Sequence, residues 1–196
     1  MTFAQAILLA VLQGVSELFP VSSLGHAVLV PALLHWRIDQ SAPTWLAFIV
    51  VLHLGTAAAL AIYYRHEWRA IIAGLVSSIV RGKLSADPDE HLGWLLVVGS
   101  IPVGILGMLF EHEVRTLLSS PLPTAGFLVV NGLIMFAGER LRRKQHQDEG
   151  RRYRSLSEIG WRQAVFVGFA QSLALLPGIS RSGSSIVAGL LSLIHI

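Results

Sequence analysis

Glu17 and Arg181 draw the eye first, because each is an ionisable side chain inside a stretch that is otherwise apolar. At membrane depth such a charge costs at least about 2.5 kcal/mol, which makes a functional role the first reading to test. Around Glu17 the chain reads Gln13-Gly-Val-Ser-Glu17-Leu-Phe-Pro20-Val-Ser22-Ser23-Leu-Gly-His26. Gln13 and Glu17 are four residues apart and share a helix face, so they could hold a divalent cation or position a water. Ser23 and His26 could act as nucleophile and base across the turn, or His26 could itself take the phosphoryl group or protonate a leaving phosphate. Around Arg181 the chain reads Pro177-Gly-Ile-Ser180-Arg181-Ser182-Gly183-Ser-Ser185. Arginine offers planar, permanently charged donors that match phosphate oxygens. Glycines let backbone N–H groups approach an anion, and the helix that begins there adds its positive end. The Gly-Lys-Ser/Thr ending of a nucleotide-binding P-loop is missing. The chemistry expected from the two segments together is capture of a phosphate group and nucleophilic attack on it.

The elements that must position these residues are membrane helices. Hydrophobic residues make up 53% of the 196 and charged residues 14%, where a soluble domain carries about a quarter charged. Residues 44–64, 92–110 and 122–138 are nearly free of charge and long enough to cross a bilayer, which takes roughly 17–25 residues; residues 163–176 are short for a span. An all-α, polytopic helical bundle follows, since in lipid a helix satisfies its own backbone. The absence of cysteine removes disulfides and thiolate metal sites. Seven of the 15 Lys and Arg fall between Arg140 and Arg154, which marks residues 139–160 as a basic cytoplasmic loop rather than a nucleic-acid-binding surface.

From that loop the topology unrolls. Residues 44–138 hold the crossing helices, with residues 68–80 too short to cross and expected at the cytoplasmic interface. Residues 1–36 are two apolar stretches broken at Pro20, the second only thirteen residues long, which fits a re-entrant hairpin entering from outside. Residues 161–196 repeat the pattern from the cytoplasmic side. The sequences Leu18-Phe-Pro20 and Leu175-Leu-Pro177 align, with Ser23 and Ser180 each three residues on and Gln13 and Gln171 before the break. An inverted repeat with interrupted helices puts a site where the two tips meet. The chain stops inside an apolar run, so one or more further C-terminal helices are expected and the second hairpin is read as incomplete. His53 and Asn131, lone polar groups in their spans, read as helix-packing or pore-side residues. Glu67, Asp87, Asp89 and Glu90 read as solvated loop charges.

The two motifs, in this order and over essentially the whole chain, resemble the undecaprenyl-pyrophosphate phosphatase family, the bacterial bacitracin-resistance proteins. Gln13 and Glu17 match its Glu-or-Gln, three residues, Glu pattern; Ser185 stands where the family's second motif ends in Thr. The resemblance implies hydrolysis of undecaprenyl pyrophosphate to the monophosphate at the outer face of the bacterial plasma membrane. That reaction recycles the carrier for peptidoglycan synthesis and confers bacitracin resistance. Carried over, Glu17, Ser23, His26 and Arg181 are the catalytic group, with Ser23 or His26 the nucleophile. Gln13, Ser22, Ser180, Ser182, Gly183 and Ser185 are the pyrophosphate contacts. A divalent cation, Mg or Ca, at Gln13 and Glu17 is a further expectation, with no organic cofactor. The expected partners are the polyprenyl lipid and the membrane, without nucleic acid, and a homodimer is compatible. The competing reading is a transporter or flippase of an anionic lipid or solute, which the same inverted scaffold would suit.

Overall fold

The computed structural model describes residues 1–110, 112–114, 120–147 and 158–192; residues 148–157 of the expected basic loop and the last four residues of the second expected hairpin lie outside these. Among the described residues the regular structure is entirely helical. Helix α1 (Phe3–Leu18) starts at a reciprocal cap. Thr2 Oγ1 accepts from Gln5 N–H at 3.3 Å, and Gln5 Oε1 accepts from Thr2 N–H at 2.8 Å, an arrangement that satisfies two otherwise orphaned donors. The chain turns at Phe19–Ser22 and α2 (Ser23–Leu33) runs back against α1. Helix α3 (Pro43–Tyr63) follows and packs on α1. Leu9 of α1 sits with Trp45 and Ile49 in the core, while Gln13 reaches Thr56, so α1 and α3 run parallel.

Helices α4 (Arg65–Arg81) and α5 (Pro88–Leu109) pack together. After α6 (Pro121–Gln147), α7 (Trp161–Ser172) continues through one 3-10 turn (Leu173–Leu175). The chain then turns at Leu176–Ser180 into α8 (Arg181–Leu191). Helix α7 lies between α5 and α8, and α6 holds both α2 and α8. Close backbone approach of α5 and α7 depends on Gly168, where a Cβ would run into the Gly99 backbone. Among the described residues three helices are long and apolar enough to cross a membrane: α3, α5 and residues Pro121–Lys144 of α6. Their outer faces expose side chains such as Val51, Leu54, Ile101 and Val129, a surface that lipid covers and water would not tolerate. The chain is therefore a helical membrane protein.

Two expectations change here. Helix α6 carries on to Gln147, so the segment expected as loop from residue 139 begins as helix. The extension is held by Glu139, whose carboxylate accepts from Arg142 Nε and Arg143 Nε at 2.8 Å each. Glu90 is not a solvated charge: it is 1% exposed. Its carboxylate accepts from Ser85 N–H at 2.7 Å, from the Ser85 hydroxyl at 2.8 Å and from the Arg81 guanidinium. Those donors replace water and tie the end of α4 to the start of α5. Asp39 remains an open-loop carboxylate between α2 and α3; the Ser41 hydroxyl and backbone N–H hold its carboxyl below the usual range.

Candidate active site

The site is built on two short helices of eleven residues that begin in the same way. Ser22 caps α2, its Oγ accepting from Gly25 N–H at 3.3 Å; Ser180 caps α8, its Oγ accepting from Gly183 N–H at 3.2 Å. The caps make Ser22 and Ser180 equivalent, not Ser23 and Ser180 as proline spacing suggests, and so place Ser23 and Arg181 at the first helical position of each element. The extra residue in the second loop is accommodated by Gly178 at φ +111°, a conformation open to glycine and strained for other residues. Ser22 itself sits at φ +63°, an uncommon conformation for a residue with a side chain and one often found at functional turns.

The two turns touch. A Cβ on Gly25 would lie 2.9 Å from the Gly178 Cα, and one on Gly183 would lie 3.4 Å from the Pro20 Cβ. Asn131, buried in α6 at 4% exposure, bridges them: its Nδ2 donates to the Pro20 carbonyl at 3.2 Å and its Oδ1 accepts from Ser180 N–H at 2.8 Å. Asn131, expected as a helix-packing or pore-side residue, packs here in a specific way: it clamps the two motifs together.

Between the turns lies a cavity of about 460 Å³, whose lining includes Ser16, Glu17, Ser22, Ser23, Gln171, Ser180, Arg181, Ser182 and Ser185. Glu17 is its centre. Oε2 accepts the Ser23 hydroxyl hydrogen, and the Gln13 amide donates to it at 3.4 Å. Arg181 Nη2 stands 4.0 Å from Oε1. His53 Nε2 lies 3.5 Å from Oε2, while His53 Nδ1 is 2.8 Å from the Ile49 carbonyl. The carbonyl requires a hydrogen on Nδ1, so Nε2 can donate to the carboxylate only as the imidazolium. Neither composition nor spacing marked His53 as a site residue; the available signal was an unpaired imidazole ten residues into a 21-residue span. That position is about 15 Å along the helix, half the hydrocarbon thickness.

Of the residues expected from sequence, Glu17, Ser22, Ser23, Ser180, Arg181, Ser182 and Ser185 share this cavity. Gln13 stands behind Glu17, its Oε1 accepting from the Thr56 hydroxyl at 2.9 Å, and Gly183 is buried under the α8 cap. His26 is set apart from Ser23: its Nδ1 is 2.8 Å from the Ser22 carbonyl, so the hydroxyl's partner is Glu17. Ser185 Oγ donates to the Arg181 carbonyl at 2.8 Å. The expected cation pair is already engaged, Gln13 Oε1 by Thr56 and Glu17 Oε2 by Ser23 and Gln13. Among the described residues no group of three or more His, Asp or Glu comes together as a metal cage. At Gln13 and Glu17 the described side chains offer a cation one carboxylate and one amide oxygen, each already hydrogen-bonded.

Residues 6–195 match the family model described as bacitracin resistance protein BacA. The chain belongs to this family. It is 47% identical over 190 residues to undecaprenyl-diphosphatase 2 of Chromobacterium violaceum, covering 97% of this chain and 66% of that protein. It is 48% identical over 211 residues to the undecaprenyl-diphosphatase of Mycolicibacterium paratuberculosis, covering 97% and 68%. Against the undecaprenyl-diphosphatase of Acidiphilium cryptum it is 46% identical, covering 97% and 65%. The chain thus spans about two thirds of the length of these BacA-family relatives. Within the family frame, His53 is the residue the motifs leave out. Its loss should be felt through Glu17, whose Oε2 faces Nε2 at 3.5 Å: as the imidazolium, His53 would donate to that charge, an interaction worth up to about 1.5–3 kcal/mol. His53→Ala is therefore expected to lower kcat by roughly ten- to hundred-fold with KM little changed, and His53→Gln, which keeps a donor, by less. Steady-state phosphate release checks it.

Proposed function

We propose that the chain carries the active site of a membrane phosphatase that hydrolyses undecaprenyl pyrophosphate to undecaprenyl phosphate and inorganic phosphate. The observation that carries the reading is the Ser23–Glu17 hydrogen bond facing Arg181 across a cavity onto which two helix N-termini open. The first-turn amides of α2 and α8 and the Arg181 guanidinium supply positive potential for a pyrophosphate, and among the described residues Glu17 is the one carboxylate on that cavity's lining.

In the reaction we propose, Arg181 and the α8 amides hold the substrate, and Ser23 Oγ attacks the terminal phosphorus as its proton passes to Glu17 Oε2. The bond from that phosphorus to the bridging oxygen breaks, and undecaprenyl phosphate leaves. Water then hydrolyses the phosphoseryl ester, with Glu17 returning a proton to Ser23. Positioning and charge neutralisation dominate such transfers. Ser23 is preferred to His26 as nucleophile because only Ser23 is bonded to Glu17. A divalent cation, if the substrate brings one, would find Glu17 as its protein carboxylate; no step here is routed through it.

The paired caps, the facing turns and the mid-depth position of His53 support two oppositely inserted re-entrant hairpins related by an inverted repeat, and a plasma-membrane enzyme whose site opens outward. A transporter on this scaffold would bind the same anion. The Ser23–Glu17 pair favours hydrolysis, because binding alone has no need of a base on a hydroxyl. Phosphate release from undecaprenyl pyrophosphate in detergent, where no compartments exist, is expected for the wild type and to be lost in Ser23→Ala. Binding without release by the wild type would return the decision to transport.

A further inference from the structure

A second cavity, about 680 Å³, lies between α1 and α3. It is a groove of different character from the reaction cavity. Its walls are apolar or small, with Gly14 and Leu18 on α1 and Gly55 and Ala59 on α3. Its polar lining centres on Gln13 and Thr56, which bond one another, and Gln13 also bonds Glu17. Leu60 lines both this groove and the reaction cavity. The groove therefore runs along a helix pair beside the catalytic carboxylate's own hydrogen-bond chain.

Gly14 and Gly55 leave its walls low. A Cβ built on either meets no atom within 4 Å, as is also so of Gly104, Gly126 and Gly132, whereas Gly25 permits contact with Gly178; of these open glycines, Gly14 and Gly55 line the groove. Packing between protein elements does not account for these two. Glycine in a helix interior costs about 1 kcal/mol relative to alanine, so two of them facing open apolar space leave a volume that something else fills. Bulk lipid tails could wet the groove, but they have no reason to register with Gln13. A molecule whose anionic head is fixed beside Arg181 and whose body is hydrocarbon has that reason.

We propose that the α1–α3 groove is the binding site for the isoprenoid chain of the substrate, its first units lying against Gly14 and Gly55. This rests on the pyrophosphatase reading above and deepens it, by assigning chain-length selectivity to a surface separate from the phosphate contacts. The chain would run from the site along α3, past Gly55 and Ala59 toward Tyr63 and Tyr64, which also line the groove.

The test fills the groove without touching the phosphate site. Gly55→Leu and Gly14→Leu place a side chain in open space and raise helix propensity, so both should accumulate in membranes as the wild type does. The readout is kcat/KM in detergent for undecaprenyl pyrophosphate and for isopentenyl pyrophosphate, which carries one five-carbon unit. Each leucine variant is expected to lower the long-chain value at least tenfold, mainly through KM. The short-chain value should change less than threefold, and Gly55→Ala should fall between variant and wild type. Unchanged long-to-short ratios in both leucine variants would overturn the groove assignment while leaving the phosphatase intact. A wild type that releases phosphate from neither substrate would overturn the phosphatase reading, and the groove with it. Should one leucine variant fail to insert, the other and Gly55→Ala read the same ratio.

Discussion

Arg181→Ala is expected to reduce phosphate release from undecaprenyl pyrophosphate by about a thousand-fold or more, with the protein still inserted and folded. The size follows from its place. Arg181 is the first helical residue of α8, so its guanidinium stands where that helix's positive end and the open amides already favour an anion. Arginines that neutralise the charge of a transferring phosphoryl group are worth about 10³–10⁵ in rate. The fold should survive because the side chain is 66% exposed and its approach to Glu17 is 4.0 Å; so loose an ion pair contributes little stability. Arg181→Lys keeps the charge but loses the planar fork, and should recover only a small part of the rate. Equal thermal midpoints with a collapsed rate are the expected pair of measurements. An Arg181→Ala protein that turns over near the wild-type rate would remove Arg181 from the site.

How much of this was legible in the sequence depends on the kind of signal. Glu17 and Arg181 could be found because a charge in an apolar run is conspicuous, and their neighbours Ser23 and Ser180 came with them. Three spans followed from length and apolarity alone. The rest required contacts between distant segments. His53 and Asn131 are uncharged or weakly charged, single and without local partners, and nothing in their own segments says which face of the helix they occupy. Each turned out to face the motifs, which is where an isolated polar group in a span is best satisfied. Glu90 was hidden by company: beside Asp87, Asp89 and the turn at Ser85 it looks like one more loop charge, and its partner Arg81 lies on the preceding helix. The register of the repeat was off by one because proline spacing was used as the ruler. The physical ruler is the cap, and the turn before α8 holds one residue more, Gly178, in a conformation the turn before α2 does not need.

The caps also sharpen what the phosphate can touch. Ser180 N–H is consumed by Asn131 and Gly183 N–H by the Ser180 hydroxyl, which leaves the Arg181 and Ser182 amides of the first turn to face an anion. On α2 the Gly25 N–H is likewise taken by Ser22, leaving Ser23 and Leu24. Each helix thus offers two amides to one cavity. In the proposed reaction Ser23 and Arg181, at equivalent positions, divide the work: one end of the site would carry the nucleophile and the other the charge.

That division works only while the two turns keep their spacing, which makes Asn131→Leu the second substitution with a large expected effect. Leucine matches asparagine roughly in size but leaves the part-buried Pro20 carbonyl and the buried Ser180 N–H without these partners. The unsatisfied buried N–H alone costs about 1–3 kcal/mol, so a stability loss of at least that size is expected if the turns stay in place. The turns can escape that cost by separating, which moves Ser23 and Glu17 away from Arg181. A shift of about 1 Å at a catalytic group can cost a hundred-fold in rate. Asn131→Leu is therefore expected to lower both the thermal midpoint and kcat, the latter by about a hundred-fold. Asn131→Asp separates the two effects: its carboxylate can still accept from Ser180 N–H but repels the Pro20 carbonyl. It should keep α8 capped and docked while releasing the first turn, giving a kcat loss larger than its stability loss predicts. If both variants lose stability and neither loses rate in the folded fraction, Asn131 holds the bundle together but does not set the site, and the spacing of the two turns is fixed by the glycine contacts alone.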